Sequence, residues 1–298
     1  MRLLELFSGI GAVATACEEF EDIEVVGSID ISQPAAKVYS ANFPTPHYVR
    51  EISTLPDEQL EEFRADIWWM SPPCQPFTRR GLQADLDDPR CGALLRMIDA
   101  IGRIQPDIVA MENVRGFESS LTFERMKEVV SGAGYAIATV ELCSSQFGVP
   151  NLRPRFFLIA SRNGKPAFSL PNPKAAPMLR DFLDDDDQAR RWNDLSVSEQ
   201  QLDEYCHAVS IVSPEENLSR CFTSAYGQSI VRSGSYLRTN RGLRRFSPAE
   251  VARLLGFSDR FVLPESLTTR QLWKLLGNSL SIPCVRHVLQ EVQRVVAV

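Results

Sequence analysis

Three short segments hold residue types that do chemistry in combination. The first is Pro72-Pro73-Cys74-Gln75-Pro76-Phe77-Thr78, a cysteine set among prolines ahead of an aromatic ring. The second is Glu112-Asn113-Val114, and the third is Gln146-Phe147-Gly148-Val149-Pro150 leading to Arg153-Pro154-Arg155. A cysteine thiolate that adds covalently to an electrophilic carbon splits one hard step into two easier ones. An ordinary thiol, with a pKa of about 8.5, is only slightly ionised at neutral pH, so nearby arginine charge would raise the reactive fraction. A carboxyl such as Glu112 can donate a proton to the charge that builds during addition, provided burial or a polarised hydrogen bond keeps it protonated. Arginines hold carbonyl and phosphate oxygens. Arg153 and Arg155 are two residues apart, so an extended chain turns both to one side.

Strands and helices must bring these groups together. Leu3–Phe7, Glu24–Ile29, Asp66–Met70, Asp107–Met111 and Phe156–Ala160 are apolar runs of strand length. Ala12–Phe20, Ala93–Ile104 and Phe123–Ala133 carry helical patterns between them. This alternation predicts an α/β fold: a doubly wound, mostly parallel sheet with helices on both faces. In such a sheet, the segments after Met70 and Met111 emerge at the carboxyl edge, where ligands bind. Pro166, Pro171, Pro173 and Pro177 break the pattern, and an acidic segment with Asp184-Asp185-Asp186-Asp187 follows, read as a solvated helix start or loop. Ser247-Pro248-Ala249-Glu250 opens a helix with a capping-box pattern, and Gln271–Leu276 and Val285–Val296 are helical as well. The expected organisation is a catalytic domain over 1–168, a small inserted domain over 169–242, and C-terminal helices over 243–298 that complete the first.

The first strand runs into Ser8-Gly9-Ile10-Gly11-Ala12, where glycines permit a tight turn and close approach of a ligand. The second strand ends at Asp30, which can accept hydrogen bonds from ribose hydroxyls. This fits the dinucleotide fingerprint, yet the same geometry serves any cofactor with a ribose, S-adenosyl-methionine included. A nicotinamide-dependent oxidoreductase would use Gly9, Gly11 and Asp30 but leaves the other motifs unexplained. A binding module without chemistry leaves Cys74, Glu112 and the arginine pair unexplained.

Composition narrows the partners. The net charge is −6, so a nucleic acid would have to be held by a local patch. Between Asn217 and Ala249 there is no Asp or Glu, yet arginines stand at 220, 232, 238, 241, 244 and 245, with Tyr226 and Tyr236 among them. Arginines with interleaved aromatics suit phosphate contact and base stacking, an ordinary solvated face being the alternative. The seven cysteines have no metal-site spacing. No metal, no membrane span, a cytoplasmic location and a monomer are the expectations.

Beside a methyl donor, the three segments suit carbon 5 of cytosine. Thiolate addition at carbon 6 makes carbon 5 nucleophilic, and a proton from Glu112 to ring nitrogen 3 neutralises the ring. At this point the chain resembles the cytosine-5 methyltransferases over almost its whole length. The matching blocks, in the family's order, are Leu6-Phe7-Ser8-Gly9-Ile10-Gly11, Pro72 through Phe77, Glu112-Asn113-Val114, Gln146 through Arg155, and Gly277-Asn278-Ser279. The resemblance implies a Rossmann-like fold with Cys74 as nucleophile, Glu112 as proton donor, and Arg153 and Arg155 on the base and its surroundings. It implies S-adenosyl-L-methionine as cofactor and S-adenosyl-L-homocysteine as product. It places Phe7, Ser8, Gly9, Ile10, Gly11, Asp30, Ile31, Glu51, Ile52, Pro73, Asn278 and Ser279 around that cofactor.

Within the family the chain is similar to the branch that methylates an anticodon-loop cytosine, position 38, of tRNA. The likeness lies in Thr78 followed by Arg79-Arg80-Gly81, in Asp181-Phe182-Leu183, and in Arg220-Cys221-Phe222-Thr223 with Tyr226-Gly227 and Gly234-Ser235. An insert of about 75 residues is also short for reading a long DNA site. A loop cytosine is already partly unstacked, which lowers the energy of flipping it. The substrate contacts expected are Gln75, Thr78, Arg79, Arg80, Asn113, Cys221, Tyr226, Arg232, Arg238, Arg241 and Arg244. The alternative is a DNA cytosine-5 methyltransferase of a restriction–modification or orphan type.

Overall fold

The computed structural model describes residues 1–73, 91–172, 177–185, 195–197, 208–240 and 242–296, with 175, 189, 191–193 and 205 between them. Its centre is a seven-stranded sheet. The strands are β1 (Arg2–Leu6), β2 (Glu24–Asp30), β3 (His47–Val49), β4 (Ile67–Met70), β5 (Ile108–Val114), β6 (Ala136–Cys143) and β8 (Pro154–Ser161), with the two-residue β7 (Asn151–Leu152) outside the sheet. Their order is β3-β2-β1-β4-β5-β8-β6. The first five are parallel, and β8 runs antiparallel to both β5 and β6.

The apolar runs are continuous because both faces are covered. Leu3, Ile67, Trp69, Ile108 and Ala110 point to one core cluster. Leu4, Leu6, Trp68, Met70, Val109 and Met111 point to the other. Alternate side chains of a strand lie on opposite faces, so neighbouring Trp68 and Trp69 belong to different clusters. Burying each aliphatic chain in these strands contributes roughly 1.5–3 kcal/mol. The first face is covered by α1 (Ala12–Cys17) and α8 (Ile282–Val296), the second by α4 (Gly92–Ile104) and α5 (Leu121–Gly132). The helices α2 (Gln33–Asn42), α3 (Asp57–Glu61), α6 (Pro248–Arg253) and α7 (Thr269–Gly277) complete the set described.

The doubly wound, mostly parallel sheet expected from the alternation is present. Strands β3 and β6 and helices α2 and α3 escaped the periodicity. Helix α2 begins with Ser32, whose Oγ accepts the N–H of Ala35, followed by proline in its first turn. Strand β6 pairs on one side only, and Thr139 and Glu141 dilute its apolar signal. The capping box at Ser247 forms as expected: its Oγ accepts from Glu250 N, and Ser247 N donates to the Glu250 carboxylate.

The small domain carries a three-stranded sheet in the order β12-β11-β9, with β9 at Ser210–Val212, β11 at Ser235–Thr239 and β12 at Gly242–Arg245. A division after residue 242 therefore cuts β12, which is hydrogen-bonded antiparallel to β11 from Thr239 back to Tyr236. The two-residue β10 (Ser219–Arg220) pairs with β7. Among the described residues the insert shares its core with the sheet. Val212, Phe222, Tyr226, Tyr236 and Leu237 join the same cluster as Leu3, Trp69, Val285 and Trp273. Asp184, at the head of the acidic run, is not solvated. The Asp184 carboxylate is buried, accepts from Ser247 Oγ at 2.5 Å and pairs with Arg253 at 2.8 Å. Among the described residues no helix is long and apolar enough to cross a membrane.

Candidate active site

The carboxyl ends of β1, β4 and β5 lie side by side, since Leu6 is in register with Met70 and Met70 with Met111. The chain leaving β4 starts toward that edge: Ser71 N donates to Leu6 O at 3.3 Å, and Pro72 and Pro73 follow. Cys74, Gln75, Thr78, Arg79 and Arg80 lie outside the described residues, as does Arg241. Arg155 reaches the same edge by another route. Strand β8 is antiparallel to β5, so it begins where β5 ends, and Val114 pairs with Arg155. Glu112 is then its diagonal neighbour, within range of a long side chain. Arg155 Nε lies 3.1 Å from Glu112 Oε1.

Glu112 is 3% exposed. Burial holds its carboxyl above the ordinary range, against the opposing charges of Arg155 and Arg153 and the Arg155 hydrogen bond. Asn113 is fully buried: its Oδ1 accepts from Val114 N, while its Nδ2 has no partner among the described residues. A buried amide without a partner is a site where a ligand group can bind.

Arg153 has a different position from the one expected. It is 2% exposed, and its guanidinium donates to Phe222 O at 2.9 Å, to Gly277 O at 3.1 Å and to Ser279 O. It clamps the small domain to the end of α7 through three main-chain carbonyls, which gives it a part in the scaffold. The same clamp explains Gly277: a Cβ there would sit 2.2 Å from the carbonyl carbon of Thr223. Both arginines also face Cys221, whose sulfur is 3.3 Å from Arg153 Nη1 and 3.9 Å from Arg155 Nη2. Burial pushes the Cys221 thiol up, but the two guanidiniums outweigh it and hold it below the ordinary thiol range.

The glycine turn lies at the end of β1, on the same edge of the sheet. Phe7, Gly9 and Gly11 have φ of +56°, +53° and +87°. A non-glycine residue at positive φ, such as Phe7, stores strain of the kind that clusters at functional sites. Gly11 cannot be replaced, because a Cβ would lie 2.4 Å from the Phe43 ring. At Gly9 a Cβ would meet nothing within 4 Å, so this side of the turn is open. Gly9 N and Ser32 N each donate to one oxygen of Asp30 at 2.8 Å, which fixes the carboxylate at the mouth of the turn. Ser8 Oγ is buried with no partner among the described residues.

The other residues expected around a cofactor divide in two. Ile31 is 64% exposed, and Glu51, Pro73 and Asn278 are exposed. Ile10 and Ile52 are buried, and the Ile10 side chain belongs to the core, leaving only its backbone for a ligand. Ser279 is buried, with an Oγ that has no partner among the described residues. An open glycine turn, a fixed acidic residue and orphaned hydroxyls fit a polar nucleoside ligand.

Sequence reasoning missed Glu5, which lies directly beneath the turn. Its carboxyl accepts from Tyr39 OH at 3.3 Å and from the N–H groups of Val13 and Ala14 in α1. Burial pushes its pKa up to about 8. The available signal was an acidic residue inside the apolar run Leu3-Leu4-Glu5-Leu6.

Among the nucleic-acid contacts expected, Arg232 and Arg238 are exposed, as is Arg220. Two others are corrected. Tyr226 is 1% exposed, its OH donates to Ser235 O and accepts from Phe246 N, and its ring packs against Trp273, so no face is left for a base. Arg244 is locked to the buried Glu250 carboxylate at 2.6 and 2.7 Å, which leaves it a structural ion pair.

The family described as C-5 cytosine-specific DNA methylase matches residues 1–294. The chain is 31% identical to the tRNA (cytosine(38)-C(5))-methyltransferase of Schizosaccharomyces pombe over 97% of this chain and 96% of that one. It is 30% identical to the DNA (cytosine-5)-methyltransferase of Dictyostelium discoideum, over 97% and 93%. The crystal structure of the Schizosaccharomyces pombe Dnmt2 methyltransferase superposes with a TM-score of 0.88 at 31% identity, covering 99% of this chain and 98% of that one.

Proposed function

The chain belongs to the C-5 cytosine-specific DNA methylase family, and from that premise we propose that it methylates carbon 5 of cytosine 38 in the anticodon loop of tRNA. The observation that carries the chemistry is the buried Glu112 carboxyl paired with Arg155 at the edge toward which the chain leaves β4 at Ser71, three residues before Cys74 in sequence. The polymer is supported by near end-to-end likeness to an enzyme named for tRNA cytosine 38.

In this reading the Cys74 thiolate adds to carbon 6 of the cytosine ring and Glu112 passes its proton to ring nitrogen 3; nitrogen 3 returns that proton as carbon 5 takes the methyl group, and loss of the carbon-5 proton to a base then expels the thiolate and restores the ring. Arg155 holds the Glu112 carboxyl in place and offers positive charge to the ring carbonyl. Phe7, Ser8, Gly9, Gly11, Asp30, Ile31, Glu51, Ile52, Pro73, Asn278 and Ser279 would hold S-adenosyl-L-methionine, with the backbone of Ile10. Bound there, it supplies an electrophilic methyl group and leaves as S-adenosyl-L-homocysteine. Asn113 Nδ2 is a donor available to the substrate. Residues 169–245 act as the target-recognition unit, with Arg220, Arg232 and Arg238 on phosphates.

Methyl transfer from labelled cofactor to total tRNA and to duplex DNA, run in parallel, tests the assignment. Label in tRNA is expected. Label in DNA with none in tRNA overturns it in favour of the DNA reading.

A further inference from the structure

The chain takes positive φ at Phe7, Gly9 and Gly11 in close succession, and Phe7 does so without the freedom of glycine. A turn of this kind keeps one shape only where its surroundings fix it. Helix α2 supplies part of those surroundings. Tyr39 and Phe43 are one helical turn apart: Phe43 N donates to Tyr39 O at 2.9 Å, and the two rings lie 4.9 Å apart. Gly11 is seated on both rings, since a Cβ there would lie 2.4 Å from Phe43 Cε2 and 3.0 Å from Tyr39 Cδ2. Tyr39 is fully buried, and its OH donates to Glu5 Oε2 at 3.3 Å. Glu5 stands in β1, just ahead of Phe7. One side chain, Tyr39, therefore touches the chain on both sides of the turn.

We propose that Tyr39 and Phe43 are positioning residues for the methyl donor, holding the turn from Phe7 to Gly11 in the shape that receives it. The inference rests on the reading of that turn as the S-adenosyl-L-methionine site. Helix α2 is itself placed from both ends. At its start, Ser32 N donates to Asp30 Oδ1 while Gly9 N donates to Asp30 Oδ2, so helix and turn share one carboxylate. At its finish, Asn42 and Val262 form a reciprocal pair. Asn42 Nδ2 donates to Val262 O at 2.9 Å, and Val262 N donates to Asn42 Oδ1 at 2.7 Å. The Phe43 ring meets Phe261 beside that pair, with centroids 6.4 Å apart. The grip on Asn42 thus keeps Phe43 against Gly11, and a segment near the carboxyl end of the chain helps to set a turn near its start.

Phe43→Leu alters the ring under Gly11, Asn42→Ala releases the end of α2, and Tyr39→Phe removes only the hydroxyl on Glu5. Binding of S-adenosyl-L-homocysteine, followed by calorimetry without RNA, should weaken about 3–10-fold in Phe43→Leu and Asn42→Ala. In Tyr39→Phe it should weaken by at least about threefold, the effect of one lost hydrogen bond. The KM for S-adenosyl-L-methionine should rise by the same factors, while kcat at saturating cofactor and the KM for tRNA stay within about twofold of wild type. Rings that served packing alone would lower the melting temperature and leave cofactor affinity where it was. Affinities within about twofold of wild type in folded Phe43→Leu and Asn42→Ala overturn the proposal. So does a loss of kcat or of tRNA affinity in step with the loss of cofactor affinity, which marks general damage. Where Phe43→Leu fails to fold, Tyr39→Phe decides, since it keeps the ring: unchanged affinity overturns the proposal. A wild type that binds no S-adenosyl-L-homocysteine sinks the reading of the turn itself, whereas binding that the substitutions leave unchanged sinks only the support from α2.

Discussion

Replacing Glu112 by glutamine should divide the chemistry of the site from its architecture. The side chain is buried, and its Oε1 accepts from Arg155 Nε at 3.1 Å. Glutamine keeps the volume and an oxygen for that N–H but has no proton to give. Burial raises the Glu112 pKa against the pull of Arg155 and Arg153. A raised folded-state value means that its contribution to stability is complete below the unfolded value of about 4.3 and is lost as pH rises through the folded value. Each unit of that rise costs the wild type about 1.4 kcal/mol at high pH, a penalty that an amide escapes. Glu112→Gln should therefore melt at the same temperature as wild type or higher at pH 8, with the margin shrinking toward pH 5. Positioned proton transfer is worth about 10²–10⁴ in rate, or about 3–5 kcal/mol of barrier. Initial rates of methyl transfer to tRNA should fall by that factor, with KM little changed. An enzyme within tenfold of wild-type kcat, or one that loses stability at pH 8, would refute the donor role.

Other substitutions test neighbouring parts of the same site. Cys74→Ala should abolish turnover and also the covalent adduct with tRNA carrying 5-fluorocytosine, seen as a band shift on a denaturing gel; retained activity would sink the covalent scheme. Arg153→Met should lower thermal stability by about 3–5 kcal/mol, because it strands the carbonyls of Phe222, Gly277 and Ser279. Arg155→Lys should barely move the melting temperature yet cut kcat by at least about tenfold, since lysine lacks the planar fork; equal stability losses for the two would undo the separation of roles. Gly277→Ala, whose Cβ would lie 2.2 Å from Thr223 backbone, should cost about 1–3 kcal/mol in chemical denaturation. Arg232→Ala with Arg238→Ala should raise KM for tRNA and flatten its salt dependence while leaving kcat near wild type.

The main strands, the capped helix at Ser247 and the glycine turn were legible one residue at a time, because each is governed by neighbours in the chain. Apolar period, a side chain reaching three residues on, and a residue type that tolerates positive φ are all local rules. The placement of Glu112 and Arg155 at the sheet edge was legible for the same reason: one lies near the end of an apolar strand and the other near the start of one, and strand ends meet at one edge. What pairs with what was not local. Arg153 and Arg155 look equivalent in sequence, yet one clamps three carbonyls from distant segments and the other holds Glu112. Tyr226 and Arg244 read as a nucleic-acid strip until tertiary packing buried the first against Trp273 and locked the second on Glu250. Glu5, a break in an apolar run, became a carboxyl beneath the glycine turn only when α1 and Tyr39 closed over it. Residue type and spacing thus determine which groups are available for chemistry. Burial and partners from far along the chain decide which remain charged, which remain free and which are used up in holding the site together, because desolvation and ion pairing depend on surroundings that no local pattern contains.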